Sequence, residues 1–330
     1  MLSKLIAEGR PLLADGATGT NLMAAGLVSG ECAELWNETH PDRIRALHQS
    51  FVDAGADIIL TNSFGANRRC LGLRGLGARA RELSQRAAQN ARAVADVAGR
   101  PIVVAGSVGP TGEMLAPLGP LGEDEATAIF VEQIEGLRSG GADVVWIETM
   151  SALEEARAAV RAAIAVGALY TATASFDTAG RTMMGLEPAA FARAFDDLAP
   201  PPLAIGANCG VGAADLVVSV LAMTEARPDA IVIAKANAGL PQWRDGRLHY
   251  SGSPELMGRY AALAIDAGAR IVGGCCGTTP AHIAAMRDAL DGYRRGLRPD
   301  LAAIEAALGK LVAPPVAKGA RRSRRGQEGA

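Results

Sequence analysis

What most constrains this chain is a regular alternation between short β-branched runs and longer amphipathic stretches. The runs fall at 12–14, 57–60, 102–105, 143–147, 170–175, 203–207, 231–234 and 270–272. Each is followed by a segment of helical character. Within 43–54, for example, Ile44, Leu47, Phe51 and Val52 recur at helical spacing, and similar stretches occupy 79–98, 124–138, 153–165, 254–267 and 280–290. Pro254 and Pro280 suit a first helical turn. Strands alternating with helices of this length predict parallel βαβ units, and there are eight of them. The phrase Asp-Ala-Gly-Ala-Asp at 53–57 returns as Ser-Gly-Gly-Ala-Asp at 139–143 and Asp-Ala-Gly-Ala-Arg at 266–270. It reads as a helix end, a glycine cap and the start of the next strand. Residues 12–290 span 279 positions, about 35 per unit, enough for a strand, a helix and two connections. The expected fold is α/β: a single-domain (β/α)8 TIM barrel over residues 1–311, with a short disordered basic tail at 312–330. A doubly wound open sheet is disfavoured, because Asp15-Gly16-Ala17-Thr18-Gly19-Thr20 has its glycines in the wrong places for a dinucleotide turn.

Charge narrows the partners. The chain carries 33 basic and 35 acidic residues, and Lys318, Arg321, Arg322, Arg324 and Arg325 concentrate positive charge at its end. The body is therefore mildly acidic, with no charge-based reason to expect nucleic acid or an anionic membrane. No uncharged stretch approaches the roughly 20 apolar residues of a membrane span. The segment 162–176 is too short, and 198–214 contains three prolines. Lys4, Glu8 and Arg10 interrupt any secretory signal, so a cytoplasmic protein is expected. Five cysteines, two of them adjacent, make no disulfide framework; in a reducing compartment such residues are reduced, metal-bound or catalytic.

In a parallel barrel, chemistry gathers at the C-terminal ends of the strands. Those ends read Asp15, Thr61-Asn62-Ser63-Phe64, Ser107 to Thr111, Glu148-Thr149, Ser175-Phe176, Asn208-Cys209, Lys235-Ala236-Asn237 and Gly274-Cys275-Cys276. Three of the five cysteines are among them. A lone cysteine is most often a core residue, which is the reading for Cys32 and Cys70. Cys209, Cys275 and Cys276, flanked by glycines, suit a Zn²⁺ site with a fourth position left for another ligand. His40, His48, His249 and His282 are not assigned to the metal. Three thiolates neutralise most of the ion's charge, so a bound water would be a poor acid. A substrate thiol would instead bind as a thiolate, which predicts alkyl transfer to sulfur. A reading of another class makes the cysteines a redox relay or structural metal site on a lyase or aldolase barrel, with Lys235 as a Schiff-base lysine. Glu148 and Asp15 could also merely cap a helix or a turn.

Asp15 to Thr20, Gly55-Ala56-Asp57 leading to Thr61-Asn62-Ser63-Phe64, Gly109-Pro110-Thr111, Ile147-Glu148-Thr149, Asn208-Cys209, Asn237 to Pro241 and Val272 to Pro280 together resemble the homocysteine S-methyltransferase family over about residues 12–290. That family includes betaine-homocysteine methyltransferases and the homocysteine-binding module of cobalamin-dependent methionine synthase. The resemblance implies a zinc-dependent methyltransferase of methionine biosynthesis, in which homocysteine thiolate attacks a methyl group. It implies Cys209, Cys275 and Cys276 as zinc ligands and Glu148 as the holder of the homocysteine ammonium. Asp15, Gly16 and Thr18 would line the same pocket, with Asn237 as a site wall and Thr61, Asn62 and Ser107 as further contacts. A betaine-type onium donor calls for an aromatic cage, for which Trp36, Phe64, Phe176, Trp243 and Tyr250 are the candidates. Thr149-Met150 stands where the betaine enzymes carry a tyrosine after the glutamate, and residues 179–182 and 237–241 look closer to the methionine synthase module. The expectation is a freestanding enzyme using a small onium donor. The alternative is a detached module taking its methyl from methylcobalamin on a separate cobalamin-binding protein.

Overall fold

The computed structural model of the chain describes residues 1–244 and 247–313. Its parallel strands are β1 (Leu12–Leu13), β2 (Ile58–Leu60), β3 (Val103–Val108), β4 (Val144–Met150), β5 (Tyr170–Ala174), β6 (Ala204–Cys209) and β7 (Val232–Ala236). A small antiparallel pair follows, β8 (Pro241–Arg244) and β9 (Arg247–Tyr250), and then the last barrel strand, β10 (Ala269–Gly274). Neighbours run β1-β10-β7-β6-β5-β4-β3-β2. A parallel bridge between Ala14 and Ile58, with the Asp15 N–H donating to the Ile58 carbonyl at 2.9 Å, brings β2 back to β1. Helices intervene between the strands, as in a (β/α)8 barrel. The helical layer is thinnest between β5 and β6, where Pro188–Phe191 is a single turn.

Both faces of every strand are covered, which is why the strand runs read as continuously apolar. Leu13, Ile59, Val104, Val145 and Ile147 face outward onto helices. Leu12, Ile58, Leu60, Val103, Ala105, Val144, Trp146, Ile233 and Ile271 form a separate cluster inside the barrel. The helix Leu2–Ala7, which the sequence reading did not anticipate, puts Leu2 and Leu5 into that cluster among the strand starts. Arg270 holds it there through the Ile6 carbonyl at 3.2 Å. The barrel floor is thus plugged by the chain's own first residues.

The repeated Gly-Ala-Asp phrase also belongs to this floor. Gly55 and Gly141 have φ of +95° and +97°, the left-handed cap that ends a helix before a strand. Asp57 and Asp143 each accept a neighbouring strand's N–H at 2.9 Å, from Leu13 and Val104. Arg10 and Arg92 hold the same carboxylates. The order at the end of the barrel extends two residues past the expected boundary at 311: the N–H groups of Val312 and Ala313 donate to the Asp215 carboxylate. The remainder of the expected tail, from residue 314, lies outside the described residues. Among the described residues, no helix is long and apolar enough to cross a membrane.

Candidate active site

Side chains alternate along a strand, so the inward parity of the interior cluster can be followed to the strand ends. Two residues beyond Ala105, Trp146, Ile233 and Gly273 come Ser107, Glu148, Lys235 and Cys275. All four line one cavity of about 450 Å³, together with residues 16–20, Met23, Thr61 to Phe64, Thr149, Cys209, Tyr250 and Cys276. A second hollow of about 550 Å³, beside Arg181, Arg193 and Asp215, contains none of these groups.

The three strand-end thiols converge. Cys209 closes β6 with φ of +63°, and Cys275-Cys276 follow β10; their sulfurs lie within 4.8 Å of one another. The flanking glycines are required by close approach. A Cβ on Gly274 would fall 2.2 Å from Thr278 Oγ1, and one on Gly277 would fall 2.1 Å from Cγ of Tyr250. Asn237 braces the cluster from β7: its Nδ2 donates to the Gly210 carbonyl at 2.7 Å and approaches Cys209 Sγ at 3.5 Å, and its Oδ1 accepts the Cys276 N–H at 2.8 Å. Hydrogen bonds from Cys275 and Cys276 lower the Cys209 pKa to about 3. The same contact with Cys209 raises Cys275 to about 11 and raises Cys276 as well. The two neighbouring thiols thus favour the Cys209 thiolate, and a thiophilic cation would displace the protons that they hold. Cys32 and Cys70 lie elsewhere, their thiols donating to Glu34 and to the Thr111 carbonyl.

Opposite the sulfurs stands Glu148. Burial pushes its carboxyl up to about 7, against the opposing pull of Lys235 and of Ser107, whose hydroxyl donates to it at 2.5 Å. Lys235 Nζ lies 2.7 Å from Asp15 Oδ1, with both side chains almost completely buried. Asp15 also accepts the Leu60 N–H at 2.7 Å. Its carboxylate is thus engaged within the wall and is not among the groups that line the cavity, contrary to the expectation that it faces a ligand; Gly16 and Thr18 beside it do line the cavity. Burial opposes the Lys235 ammonium, but Asp15 and Glu148 outweigh it and raise its pKa. A Schiff-base lysine needs the reverse, a neutral amine, so this environment argues against that role.

Thr61, Asn62 and Ser107 line the cavity, whereas Asn237 sits behind the sulfurs. Of the proposed aromatic cage, Phe64 and Tyr250 reach the cavity. Trp36 does not: it packs with Leu22, Leu27 and Ile44. Phe176 turns away to stack edge-on against Phe191 at 6.2 Å. The Trp243 side chain lies outside the described residues. Sequence reasoning named Asn208 and Thr149 at strand ends but gave neither a role. Thr149 has φ of +63°, and the β4–β5 register shifts between Ile147 and Met150. Asn208 Oδ1 accepts the Thr149 N–H at 2.8 Å and the Thr173 hydroxyl at 2.6 Å, and Nδ2 donates to Thr149 Oγ1 at 2.7 Å. The available signal was parity: Asn208 lies an even number of residues beyond inward-facing Ala204.

A family model described as homocysteine S-methyltransferase matches residues 12–290. The methionine synthase of Mycobacterium tuberculosis is 35% identical over 303 residues, 87% of this chain and 25% of that protein. The methionine synthase of Mycobacterium leprae is 35% identical over 291 residues, 83% of this chain and 24% of that protein. The chain thus spans about a quarter of the length of these curated relatives. Among solved structures, the metallated form of the homocysteine methyltransferase MmuM from Escherichia coli is 25% identical with a TM-score of 0.73, covering 87% of this chain and 99% of that one.

Proposed function

Because the chain belongs to the homocysteine S-methyltransferase family, we propose that its cavity binds homocysteine and methylates the sulfur to give methionine. The observation that carries this reading is the convergence of three thiols opposite a buried carboxylate, inside a cavity with room for a small amino acid and more. The donor set fits zinc: three half-buried sulfurs, braced by a carboxamide, with the cavity on their open side. Zinc bound there would take up the substrate thiol as a thiolate and keep it nucleophilic at neutral pH. The protein's own groups handle the rest of the substrate. Glu148 receives the ammonium, whose charge draws the carboxyl into its ionised form, and the Ser107 hydroxyl orients it. Asp15 and Lys235 neutralise each other in the wall and hold the 16–20 loop against the β7 end. The sulfur–methyl bond forms as the bond from methyl to donor breaks, and that bond's electron pair leaves with the donor.

On the donor, two readings are compared. A betaine-type onium is held by aromatic faces, and Phe64 and Tyr250 provide two. The 35% match to methionine synthases, and the departure of Trp36 and Phe176 from the cavity, favour the second reading, a methyl group delivered from methylcobalamin. The test is to load the protein with zinc, confirm about one ion per chain, and supply homocysteine with betaine, dimethylsulfoniopropionate, S-methylmethionine and methylcobalamin in turn. Methionine from methylcobalamin alone supports the second reading, and methionine from betaine supports the first. With zinc bound, no methionine from any donor overturns the assignment of a complete transfer site.

A further inference from the structure

The site has two ends that must keep a fixed separation: the carboxylate at the end of β4 and the sulfurs at the ends of β6 and β10. We propose that Asn208 is the positioning residue that sets this separation, an inference that rests on the homocysteine reading above. Thr149, next to Glu148, holds φ of +63°. For a β-branched residue that conformation is costly and persists only where its surroundings enforce it. The enforcing group is the buried Asn208 carboxamide, which bonds the Thr149 N–H, the Thr149 hydroxyl and the buried Thr173 hydroxyl. It does so where β4 slips register against β5, and that irregularity sets where Glu148 sits at the strand end.

The same carboxamide reaches the other end. Asn208 Nδ2 lies 3.9 Å from Cys275 Sγ, and its main chain continues directly into Cys209, also at φ of +63°. One side chain thus fastens the β4 end to both cysteine-bearing strands. Without it, Thr149 relaxes toward ordinary β geometry and Glu148 moves relative to the sulfurs. The three cysteines themselves remain. The expected consequence is weaker binding of the amino acid with little change in metal content.

The experiment uses the full chain with two ligands: homocysteine titrated into zinc-loaded protein, and methionine into metal-free protein, which reports the ammonium end alone. Asn208→Ala is expected to keep about one zinc per chain and to weaken both ligands by about tenfold, the scale of a lost buried hydrogen-bond set. Asn208→Asp keeps the two acceptor bonds and is expected to lose less. Adding Thr149→Gly to Asn208→Ala should recover most of the loss, because glycine takes the left-handed conformation unaided; a merely structural role for Asn208 predicts no such rescue. Wild-type affinity in Asn208→Ala, loss of zinc in parallel with affinity, or no recovery in the double variant overturns the proposal. If zinc-loaded wild-type protein binds neither homocysteine nor methionine, the functional reading itself fails, and this inference with it.

Discussion

Replacing Lys235 by methionine removes one partner of an ion pair whose side chains are 2% and 1% exposed and 2.7 Å apart. Methionine fills most of the lysine's volume, so the loss is chiefly electrostatic. Asp15 is left with the Leu60 N–H at 2.7 Å. Two routes bound the cost in the metal-free protein. If Asp15 stays ionised, breaking a buried pair costs about 3–5 kcal/mol. If it takes up a proton instead, moving a carboxyl from its ordinary pKa of about 3.9 to neutral at pH 7 costs about 4 kcal/mol, at about 1.4 per unit. The second route makes the penalty depend on pH. In the variant the folded carboxyl titrates above its unfolded value, so its contribution is fully present below about pH 4 and is lost as pH rises toward the folded pKa. In the parent, burial raises the Asp15 carboxyl as well, and the Lys235 ammonium holds part of that rise down. By this route the gap between parent and variant is at most about 4 kcal/mol at pH 7 and at most about 1.5 kcal/mol at pH 5. Urea unfolding of both proteins at the two pH values reads it directly, provided the slope with denaturant is unchanged. A gap under about 1 kcal/mol at pH 7 refutes the assignment of a stabilising buried ion pair, whereas a gap equal at both pH values means that Asp15 stays ionised in the variant.

Glu148, held at about 7 by burial, must be ionised to accept an ammonium. Methionine affinity is expected to fall about tenfold per unit as pH drops below 7 and to level off above it. Glu148→Gln should bind weakly at every pH, and calorimetry from pH 5.5 to 8.5 that shows a flat parent profile contradicts the role. Leu5, 4% exposed inside the barrel floor, should cost about 3 kcal/mol on truncation to alanine. A loss below about 1 kcal/mol in thermal or urea unfolding would mean that the first helix does not seal the floor.

The barrel was legible in the sequence because parallel strands covered on both faces leave apolar runs that helices regularly interrupt. All eight strands lie where those runs predicted, yet β3, β4, β6, β7 and β10 continue beyond them. The cause is the site itself: Ser107, Glu148 and Asn208 are polar residues inside strands, and a reading by hydrophobicity stops where they begin. The cysteines were legible through their position at strand ends. Asn208 and Thr149 were not, since nothing in the sequence records a left-handed threonine or the carboxamide that pins it. Asp15 was legible as a strand-end acid, but its contact with Lys235 was not, because the two lie 220 residues apart in the sequence. The β8–β9 pair and the Leu2–Ala7 helix were missed for a simpler reason: each is too short to show a period.

The closure of the barrel also has a bearing on its biosynthesis. β1 is made before the other barrel strands, and its paired neighbour in the sheet, β10, is the last of them, with Leu12 opposite Ile271 and Leu13 opposite Val272. At translation rates of about 5–20 residues per second, β1 waits on the order of tens of seconds for that partner. Over that interval the nascent chain carries an incomplete sheet with two open edges and an unfilled interior. Chaperone capture during synthesis is therefore expected to concentrate on chains stopped short of residue 274, and to fall sharply once β10 has left the ribosome.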